Sequence, residues 1–414
     1  MNIARLDLWV REKEGIQTLD RKAVDNIQLE KLNRLLEREY RRQGFYRNLP
    51  RQLKALEDLE SLPFTTEKDL REQGNSMVLV SQSEIERVRS WETSGTTGPG
   101  KRVFYTAEDN ERTVSFFAAG LSELIYPGEK AMIAMPFTGN RGLGELIREG
   151  VEKLRAVPVP AGNLNTFKEL LEILDNEKPD TFIGPPVLLL SLLRLRPAGS
   201  IKRGLVSGDA CPPGVTKAIE DILGTRLYPH YGSREMGLGG AVTCPAFQGM
   251  HLRENDIIGE IVDERGKRVP KGEWGELVIT LTEARAMPLI RYRTGDRTRF
   301  LPGACPCGCC LRRLDRISRM GAEKEMEELD DVIFQIPWIV DYRISRKGEE
   351  LEIEGLTTAE DREGEIKRLL PGEWKGKRLG SIWKQAGSED GPCYRGKRRV
   401  EDRENSRNRQ VESR

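Results

Sequence analysis

Apolar residues between positions 21 and 43 recur at the spacing of one helical face, which predicts an amphipathic helix. From residue 131 to 228, short apolar runs such as Thr181–Gly184 alternate with helix-length segments. Strands that alternate with helices predict an α/β layered fold, in which ligands lie at the carboxyl ends of the strands. From about residue 256, strand-length runs at 257–263, 276–281 and 298–301, separated by glycine turns, predict a β-rich subdomain.

The last hundred residues differ in composition from the rest of the chain. Beyond residue 318 the sequence is more charged and keeps only a few apolar runs, which predicts a small C-terminal domain. Residues 401–414 are almost entirely polar and charged, a composition that cannot offset the entropy of ordering. They are therefore expected to form a disordered tail.

Charge and cysteine content narrow the class of protein. Charged residues make up 32% of the 414 residues with a formal net charge of +1, so no bias toward nucleic acid or an anionic membrane is expected. No apolar stretch is long enough to span a bilayer, and the N-terminus lacks a secretory apolar region. Seven cysteines, four of them at 305–310, suit metal binding in a reducing compartment. These features predict a cytoplasmic protein.

A loop at 93–101 combines glycines, hydroxyls and a lysine in a pattern typical of phosphate binding. Its donors and flexible positions are Thr93, Ser94, Gly95, Thr96, Thr97, Gly98, Gly100 and Lys101. The spacing also fits most of a Walker A motif, but Arg102 stands where that motif needs a hydroxyl for magnesium. The alternative is a tight surface turn between two strands.

Four clusters follow one another in a fixed order along the chain: 93–101, 231–235, 292–296 and 316–319. This order resembles the adenylate-forming superfamily of acyl-CoA ligases, and most closely its phenylacetate-CoA ligase branch. The segments Leu-Pro-Phe-Thr at 62–65 and Met-Pro-Leu-Ile-Arg-Tyr at 287–292 suggest that branch.

The resemblance implies a fold and a domain organisation. It implies a large, multi-layer α/β adenylation domain at 1–317, with its β-rich part at about 256–317, followed by a small, mobile α+β domain at 318–400 and the tail. It also implies an ATP-dependent acid-CoA ligase that activates a small aryl or arylacetic acid as an acyl-adenylate and passes it to coenzyme A.

The resemblance also assigns roles to residues that match the family's motifs. Lys101 and the hydroxyls of the 93–101 loop would hold the leaving phosphates, and Glu235 would bind magnesium. The remaining nucleotide contacts would come from Tyr231 and Gly232 at the adenine, Asp296 at the ribose, the segment Ser207, Gly208 and Asp209, and Arg316 near the domain hinge. Arg316 could equally be a surface residue.

Substrate and catalytic residues outside the nucleotide site are implied in the same way. Phe137, Arg141 and His230 would line the acyl pocket, where Arg141 could pair with a carboxylate. A late Gly-Lys pair makes Lys397 the candidate for the lysine that steadies the adenylation transition state. The segment after Arg316 departs from the family's usual hinge, so domain rotation is expected to differ.

The cysteines suggest a closed metal site. Relatives in this branch carry a similar arrangement of thiols and one imidazole, which implies structural zinc held by Cys244, His251, Cys305 and Cys307. Cys309 and Cys310 are reserve ligands. The alternative is a set of unrelated surface thiols, because a Cys-x-Cys pair is tighter than the usual zinc spacing.

Two other functions remain open from the sequence. One is an adenylating enzyme with an acceptor other than coenzyme A, such as a deazaflavin coenzyme. The other is a nucleotide-binding accessory protein that has lost turnover. Family analogy alone suggests a homodimer.

Overall fold

A computed structural model describes residues 4–91, 100–139, 141–163, 166–197, 199–318, 322–347, 350–358, 366, 368–370, 374, 378–385 and 398–402. Within these residues the α-helices are α1 (Arg5–Glu14), α2 (Arg21–Arg41), α3 (Glu67–Gln73), α4 (Ala107–Leu121), α5 (Leu143–Lys153), α6 (Phe167–Glu177), α7 (Pro186–Leu195), α8 (Pro213–Leu223) and α9 (Ala322–Ile333). Short 3-10 helices lie at Leu56–Ser61, Gly74–Met77 and Gln82–Glu84.

The strands follow the same chain order. They are β1 (Ile85–Trp91), β2 (Lys101–Thr106), β3 (Lys130–Ile133), β4 (Val157–Pro160), β5 (Thr181–Gly184), β6 (Arg203–Val206), β7 (Tyr228–Tyr231), β8 (Ala241–Thr243), β9 (Met250–Leu252), β10 (Ile257–Val262), β11 (Gly275–Leu281), β12 (Tyr292–Thr298), β13 (Arg313–Leu314), β14 (Ile339–Lys347), β15 (Glu350–Thr357), β16 (Arg378–Gln385) and β17 (Glu401–Asp402).

The chain divides into two compact units. The first contains residues 1–127, 137–156 and 228–317, and the second contains residues 128–136, 157–227 and 318–414. The division into an adenylation domain ending at 317 and a mobile domain from 318 stays a prediction.

The first unit is built from antiparallel strands and the helices that cover them. Strands β1 and β2 form a hairpin-like pair, β10, β11 and β12 form a three-stranded sheet, and β7, β8, β9 and β13 are neighbours in that order. Every residue of β10 is buried. This fits its run of apolar residues and glycine, in which Glu260 is the one charged side chain. Glu260 is neutralised there by Arg291 at 3.1 Å.

The second unit contains a parallel sheet, as the alternating pattern predicts. Strands lie in the order β4, β3, β5, β6, and all three pairings are parallel. Strand β5 is buried along its whole length, and α7 and α8 each begin with a proline at the first helical turn. A second sheet in this unit has the order β16, β15, β14, β17, with β14 and β15 antiparallel.

The predicted α/β fold class is confirmed, and most elements lie where the pattern placed them. Strand β5 has the predicted bounds, and α2 covers the predicted amphipathic segment. One expected strand, 298–301, is wrong, because β12 runs from Tyr292 to Thr298. The described helices include none long and apolar enough to cross a bilayer.

Candidate active site

Glu235 lies on a tight loop that joins β7 to β8 in the first unit. The Gly240 N–H donates to the carbonyl of Tyr231 at 3.0 Å, which closes this loop. Gly232 is required there, because a Cβ at that position would lie 1.9 Å from the carbonyl oxygen of Leu238. The loop therefore holds Glu235 at a fixed point just beyond the end of β7.

The carboxylate of Glu235 is a buried hub for groups from distant parts of the sequence. Lys101, the first residue of β2, donates from Nζ to Glu235 Oε1 at 3.1 Å. The hydroxyl of Tyr292, the first residue of β12, donates to the same oxygen at 3.3 Å. The same Lys101 ammonium lies 3.2 Å from Oε2 of Glu67 in α3, and Arg71 donates to the other oxygen of Glu67.

These contacts set the ionisation of the cluster. Burial is the largest single influence on the pKa of Glu235 and raises it, but the charge of the Lys101 ammonium and the hydrogen bonds to the carboxylate together outweigh burial, so the pKa is lowered from its ordinary value. Burial and the adjacent Glu235 carboxylate raise the pKa of Tyr292, which keeps its hydroxyl protonated and able to donate. Glu235 is therefore an ionised carboxylate in a buried site at neutral pH.

A bulge in β12 turns Asp296 toward Tyr231. The pairing of β12 with β11 shifts register between Glu276 and Val278, and Gly295 has a φ of 74°. Asp296 is only 4% exposed, and its Oδ2 accepts a hydrogen bond of 2.7 Å from the Tyr231 hydroxyl. The two residues predicted at the adenine and the ribose are thus in direct contact.

The structure describes the other predicted nucleotide residues only in part. Ser207, Gly208 and Asp209 follow β6 in the second unit, and Gly208 has a φ of 88°. Arg316 is exposed, and its guanidinium lies 5.6 Å from the ring centre of Trp274. Residues 93–98 of the predicted phosphate loop and Lys397 lie outside the described residues. Their roles stay predictions.

The three predicted substrate residues lie in the first unit, in different environments. The His230 ring lies 5.7 Å from the ring of Phe117 and 6.1 Å from that of Phe116. Burial, with a contribution from Arg253, lowers the pKa of His230 to about 4, so its imidazole is neutral at neutral pH. Phe137 is half-buried.

Arg141 has local acidic partners in the same unit. Its guanidinium lies 2.6 Å from Glu149 and 3.3 Å from Glu86, and a third carboxylate, that of Glu111, lies at 3.7 Å. A substrate carboxylate would have to compete with these three groups. The role of Arg141 as a substrate ligand stays a prediction.

Cys244, His251, Cys305 and Cys307 converge in the first unit, as the sequence predicts. All four are buried, and their ligand atoms lie within 4.8 Å of one another. Sγ of Cys244 is 3.7 Å from Sγ of Cys305, and Sγ of Cys307 is 3.4 Å from Nε2 of His251. The other ring nitrogen of His251 is 3.1 Å from the carbonyl oxygen of Leu311, which orients the imidazole. Cys309 is buried but lies outside this group.

Glu67 is one of the residues at this site that sequence reasoning missed, together with Tyr292 and Arg71. Glu67 follows Thr66, whose hydroxyl accepts the Asp69 N–H and caps α3. The local sequence therefore predicts only an ordinary acidic residue in the first turn of a helix. Only the folded chain brings it to Lys101, 34 positions away in the sequence. No pattern in the local sequence distinguishes it from the exposed Glu72 on the same helix.

Comparison with known proteins defines the class of enzyme. Residues 92–282 match the family model described as "AMP-binding enzyme", and this range contains Lys101, Tyr231 and Glu235. The fold is similar to that of 2-hydroxyisobutyryl-CoA ligase in a crystal structure of its postadenylation state, with a TM-score of 0.76 and 24% identity over 96% of this chain and 94% of that chain. The class is that of the adenylate-forming enzymes.

Sequence relatives place the chain more narrowly. It is 30% identical to phenylacetate-coenzyme A ligase of Thermus thermophilus over 78% of each chain. It is 32% identical to the enzyme of the same name from Aromatoleum evansii, over 74% of this chain and 72% of that one. The chain belongs to the phenylacetate-coenzyme A ligase branch of the AMP-binding family. It is an AMP-forming acid-CoA ligase, and its reaction proceeds through an acyl-adenylate.

Removing the ammonium of Lys101 tests the ion pair. We expect Lys101→Met to lower the free energy of unfolding by about 3 kcal/mol at neutral pH, because it leaves the Glu235 charge buried without its partner. Without Lys101, burial raises the pKa of Glu235. The loss of unfolding free energy relative to the wild type is therefore largest above that pKa, and it shrinks as the pH falls and the carboxyl is protonated. Denaturant unfolding between about pH 4 and pH 8 measures it.

Two further variants make this test specific. Lys101→Met combined with Glu235→Gln should recover part of the lost stability, because no unpaired charge is then buried. Lys68→Met, in an exposed lysine of α3, is the matched control and should leave unfolding unchanged. If Lys101→Met lost the same free energy of unfolding at every pH, the ion-pair explanation would be contradicted.

Proposed function

We propose that the chain activates a small aryl or arylacetic carboxylic acid. The observation that carries this proposal is the aromatic environment of His230, directly before Tyr231, in a chain similar to phenylacetate-coenzyme A ligases. A neutral His230 against Phe116 and Phe117 supplies a low-polarity surface next to Tyr231, which favours an apolar or aromatic acid over a highly charged one.

Each group at the site has a distinct task in the proposed reaction. A carboxylate oxygen of the acid attacks the α-phosphorus of ATP, and the bond to the β-phosphate oxygen breaks to release pyrophosphate. Lys101 moves from Glu235 to the leaving phosphates and balances their charge. Asp296 accepts the ribose hydroxyls, and its bond to Tyr231 fixes both side chains before the nucleotide arrives.

The second half-reaction releases the nucleotide. The thiolate of coenzyme A attacks the acyl carbonyl, the bond from that carbonyl to the phosphate oxygen breaks, and AMP leaves with the oxygen. Lys397 serves the first half-reaction in this proposal. Its ammonium stabilises the charge that develops on the α-phosphate during adenylation.

The residues at the site fit a magnesium ion. Mg²⁺ prefers hard oxygen ligands and is usually held by one or two carboxylates together with substrate phosphates. Glu235 provides an ionised, buried carboxylate, and a cation, the Lys101 ammonium, already lies against it. Bound there, Mg²⁺ would neutralise charge on the triphosphate.

Glu235→Gln tests this assignment. With the carboxylate gone, we expect the Mg²⁺ concentration at half-maximal pyrophosphate exchange to rise at least about tenfold, equivalent to about 1.4 kcal/mol. A magnesium titration at saturating ATP measures it. Glu72→Gln, in an exposed glutamate of α3, is the control. An unchanged magnesium requirement in Glu235→Gln would mean that this residue is not a ligand.

A panel of acids tests the substrate proposal. We expect ATP–pyrophosphate exchange and AMP release with phenylacetate and benzoate to exceed those with acetate, octanoate and malonate by at least about tenfold in kcat/KM, because an aromatic ring fills a low-polarity pocket. Each assay is run with and without coenzyme A, and thioester is measured by mass.

The same panel decides between the acceptors. Exchange without thioester would favour a different acceptor, such as a deazaflavin coenzyme, and ATP binding without exchange with any acid would favour an accessory protein. A preference for the aliphatic acids would contradict the aryl proposal and leave the ligase class intact. The homodimer also stays a prediction, which family analogy supports.

The four-residue cluster fits structural zinc. Tetrahedral coordination with a Zn–S length of about 2.3 Å places neighbouring sulfurs roughly 3.8 Å apart. The sulfurs of Cys244 and Cys305 are 3.7 Å apart. Three thiolates and one imidazole fill all four positions, so this zinc would hold the fold together and would take no part in the ligase chemistry.

Metal analysis tests the zinc proposal. Protein purified without chelator should carry about one zinc per chain, and Cys305→Ser should lose it and unfold at a lower temperature. Cys211→Ser, in the second unit, is the matched thiol control and should keep both the zinc and the wild-type unfolding temperature. Wild-type protein without zinc would overturn the proposal, and zinc loss in Cys309→Ser would change the ligand set.

A further inference from the structure

The ammonium of Lys101 lies between two carboxylates that differ in exposure. Its Nζ is 3.1 Å from Oε1 of Glu235 and 3.2 Å from Oε2 of Glu67, and all three residues belong to the first unit. The side chains of Lys101 and Glu235 are each 9% exposed, whereas that of Glu67 is 46% exposed. Lys101 thus has one buried partner and one partner that is open to solvent.

Glu67 is itself held by a cation. Arg71, one turn later in α3, donates from both Nε and Nη2 to Oε1 of Glu67, and the bond from Nε is 3.1 Å long. Burial is the largest single influence on the pKa of Glu67 and raises it, but Arg71 and Lys101 together outweigh burial, so the pKa is lowered. Glu67 is therefore ionised at neutral pH, with Arg71 at one oxygen and Lys101 at the other.

The start of α3 is attached to the strand that begins with Tyr292. The N–H of Thr65 donates to the carbonyl of Arg291 at 3.0 Å, and the N–H of Arg293 donates to the carbonyl of Thr65 at 2.9 Å. These two bonds lie on either side of Tyr292, which donates to the buried carboxylate. The same stretch of chain therefore positions this donor and, two residues after Thr65, the backbone of Glu67.

This arrangement suits a lysine that has to move without losing every partner. An ammonium carries three donors, so a bond kept to Glu67 leaves others for phosphate oxygens. The negative charge of Glu67 would by itself repel a phosphate, but the positive charge of Arg71 offsets it. The Glu67–Arg71 pair therefore supplies an acceptor for Lys101 without adding a net charge to the site.

We propose that Glu67 is a positioning residue for Lys101: it holds one donor of the ammonium while the others turn from Glu235 to the leaving phosphates. This inference rests on the proposed role of Lys101 in adenylation. A lysine ammonium sits on a flexible four-carbon stem, so a second carboxylate that binds it restricts where it can go. Lys101 remains the group that contacts the phosphates, and Glu67 acts only through it.

The two half-reactions separate positioning from a general loss of structure. Pyrophosphate takes part in adenylation alone, so Glu67→Ala should lower kcat/KM for pyrophosphate in the exchange assay by about tenfold, as expected when one hydrogen bond to a charged group is lost. The kcat/KM for coenzyme A, measured with supplied acyl-adenylate, should stay within about twofold, because Lys101 has no leaving pyrophosphate to stabilise there. Both assays use the acid of the panel that gives the highest exchange rate.

A conservative variant and a control complete the design. Glu67→Gln keeps an oxygen that can accept from Lys101 but loses the charge, so it should lower kcat/KM for pyrophosphate by about threefold and leave thioester formation unchanged. Glu72→Ala, in an exposed glutamate of the same helix, should behave as the wild type in both assays. Thermal unfolding shows whether each variant is folded, and Glu67→Gln keeps the test decisive if Glu67→Ala is not.

The other outcomes each contradict a defined statement. An equal loss in both half-reactions would mean that Glu67 has a purely structural role, and it would overturn the inference. An unchanged or higher kcat/KM for pyrophosphate in the Glu67 variants would also overturn it. Lys101→Met separates the two levels: if it leaves kcat/KM for pyrophosphate unchanged, the proposed role of Lys101 is wrong; if it lowers this value while the Glu67 variants do not, only the inference fails.

Discussion

The buried charge of Glu235 is the constraint on which the first unit's site depends. A carboxylate that is only 8% exposed must be neutralised and hydrogen-bonded, and the chain does this with Lys101 from β2 and Tyr292 from β12. These partners lie 134 and 57 positions away in sequence. The same requirement that stabilises the fold therefore brings Lys101, Glu235 and the strand with Asp296 together.

Local patterns predicted the layers of the fold well and the contacts of the site only in part. The apolar run of β5 and the capped start of α3 are visible in a few consecutive residues. The bulge that places Asp296 depends on pairing with β11, so the sequence placed that strand six residues too late. Helix α1 was missed, although Leu6, Trp9 and Val10 are buried at helical spacing, because charged residues surround them.

A network of buried charge in the second unit centres on Arg398. Its guanidinium donates to Asp330 and Asp341, and its main-chain N–H donates to Asp209. The network thus fixes main chain and side chain with separate groups. Asp209 is a single contact on one side of that network, and a single hydrogen bond can be exchanged more readily than the several bonds to Asp330 and Asp341.

The Cys and His cluster has a consequence for biosynthesis. Its members lie at 244–251 and 305–307, on either side of β10, β11 and β12. A ribosome delivers the first pair well before the second, so the three strands and Asp296 have left the peptidyl transferase centre before the cluster can be completed. The cluster can therefore close only after β12, the strand that carries Asp296, has been synthesised, and a chain that stalls before Cys305 contains only Cys244 and His251 of its four members.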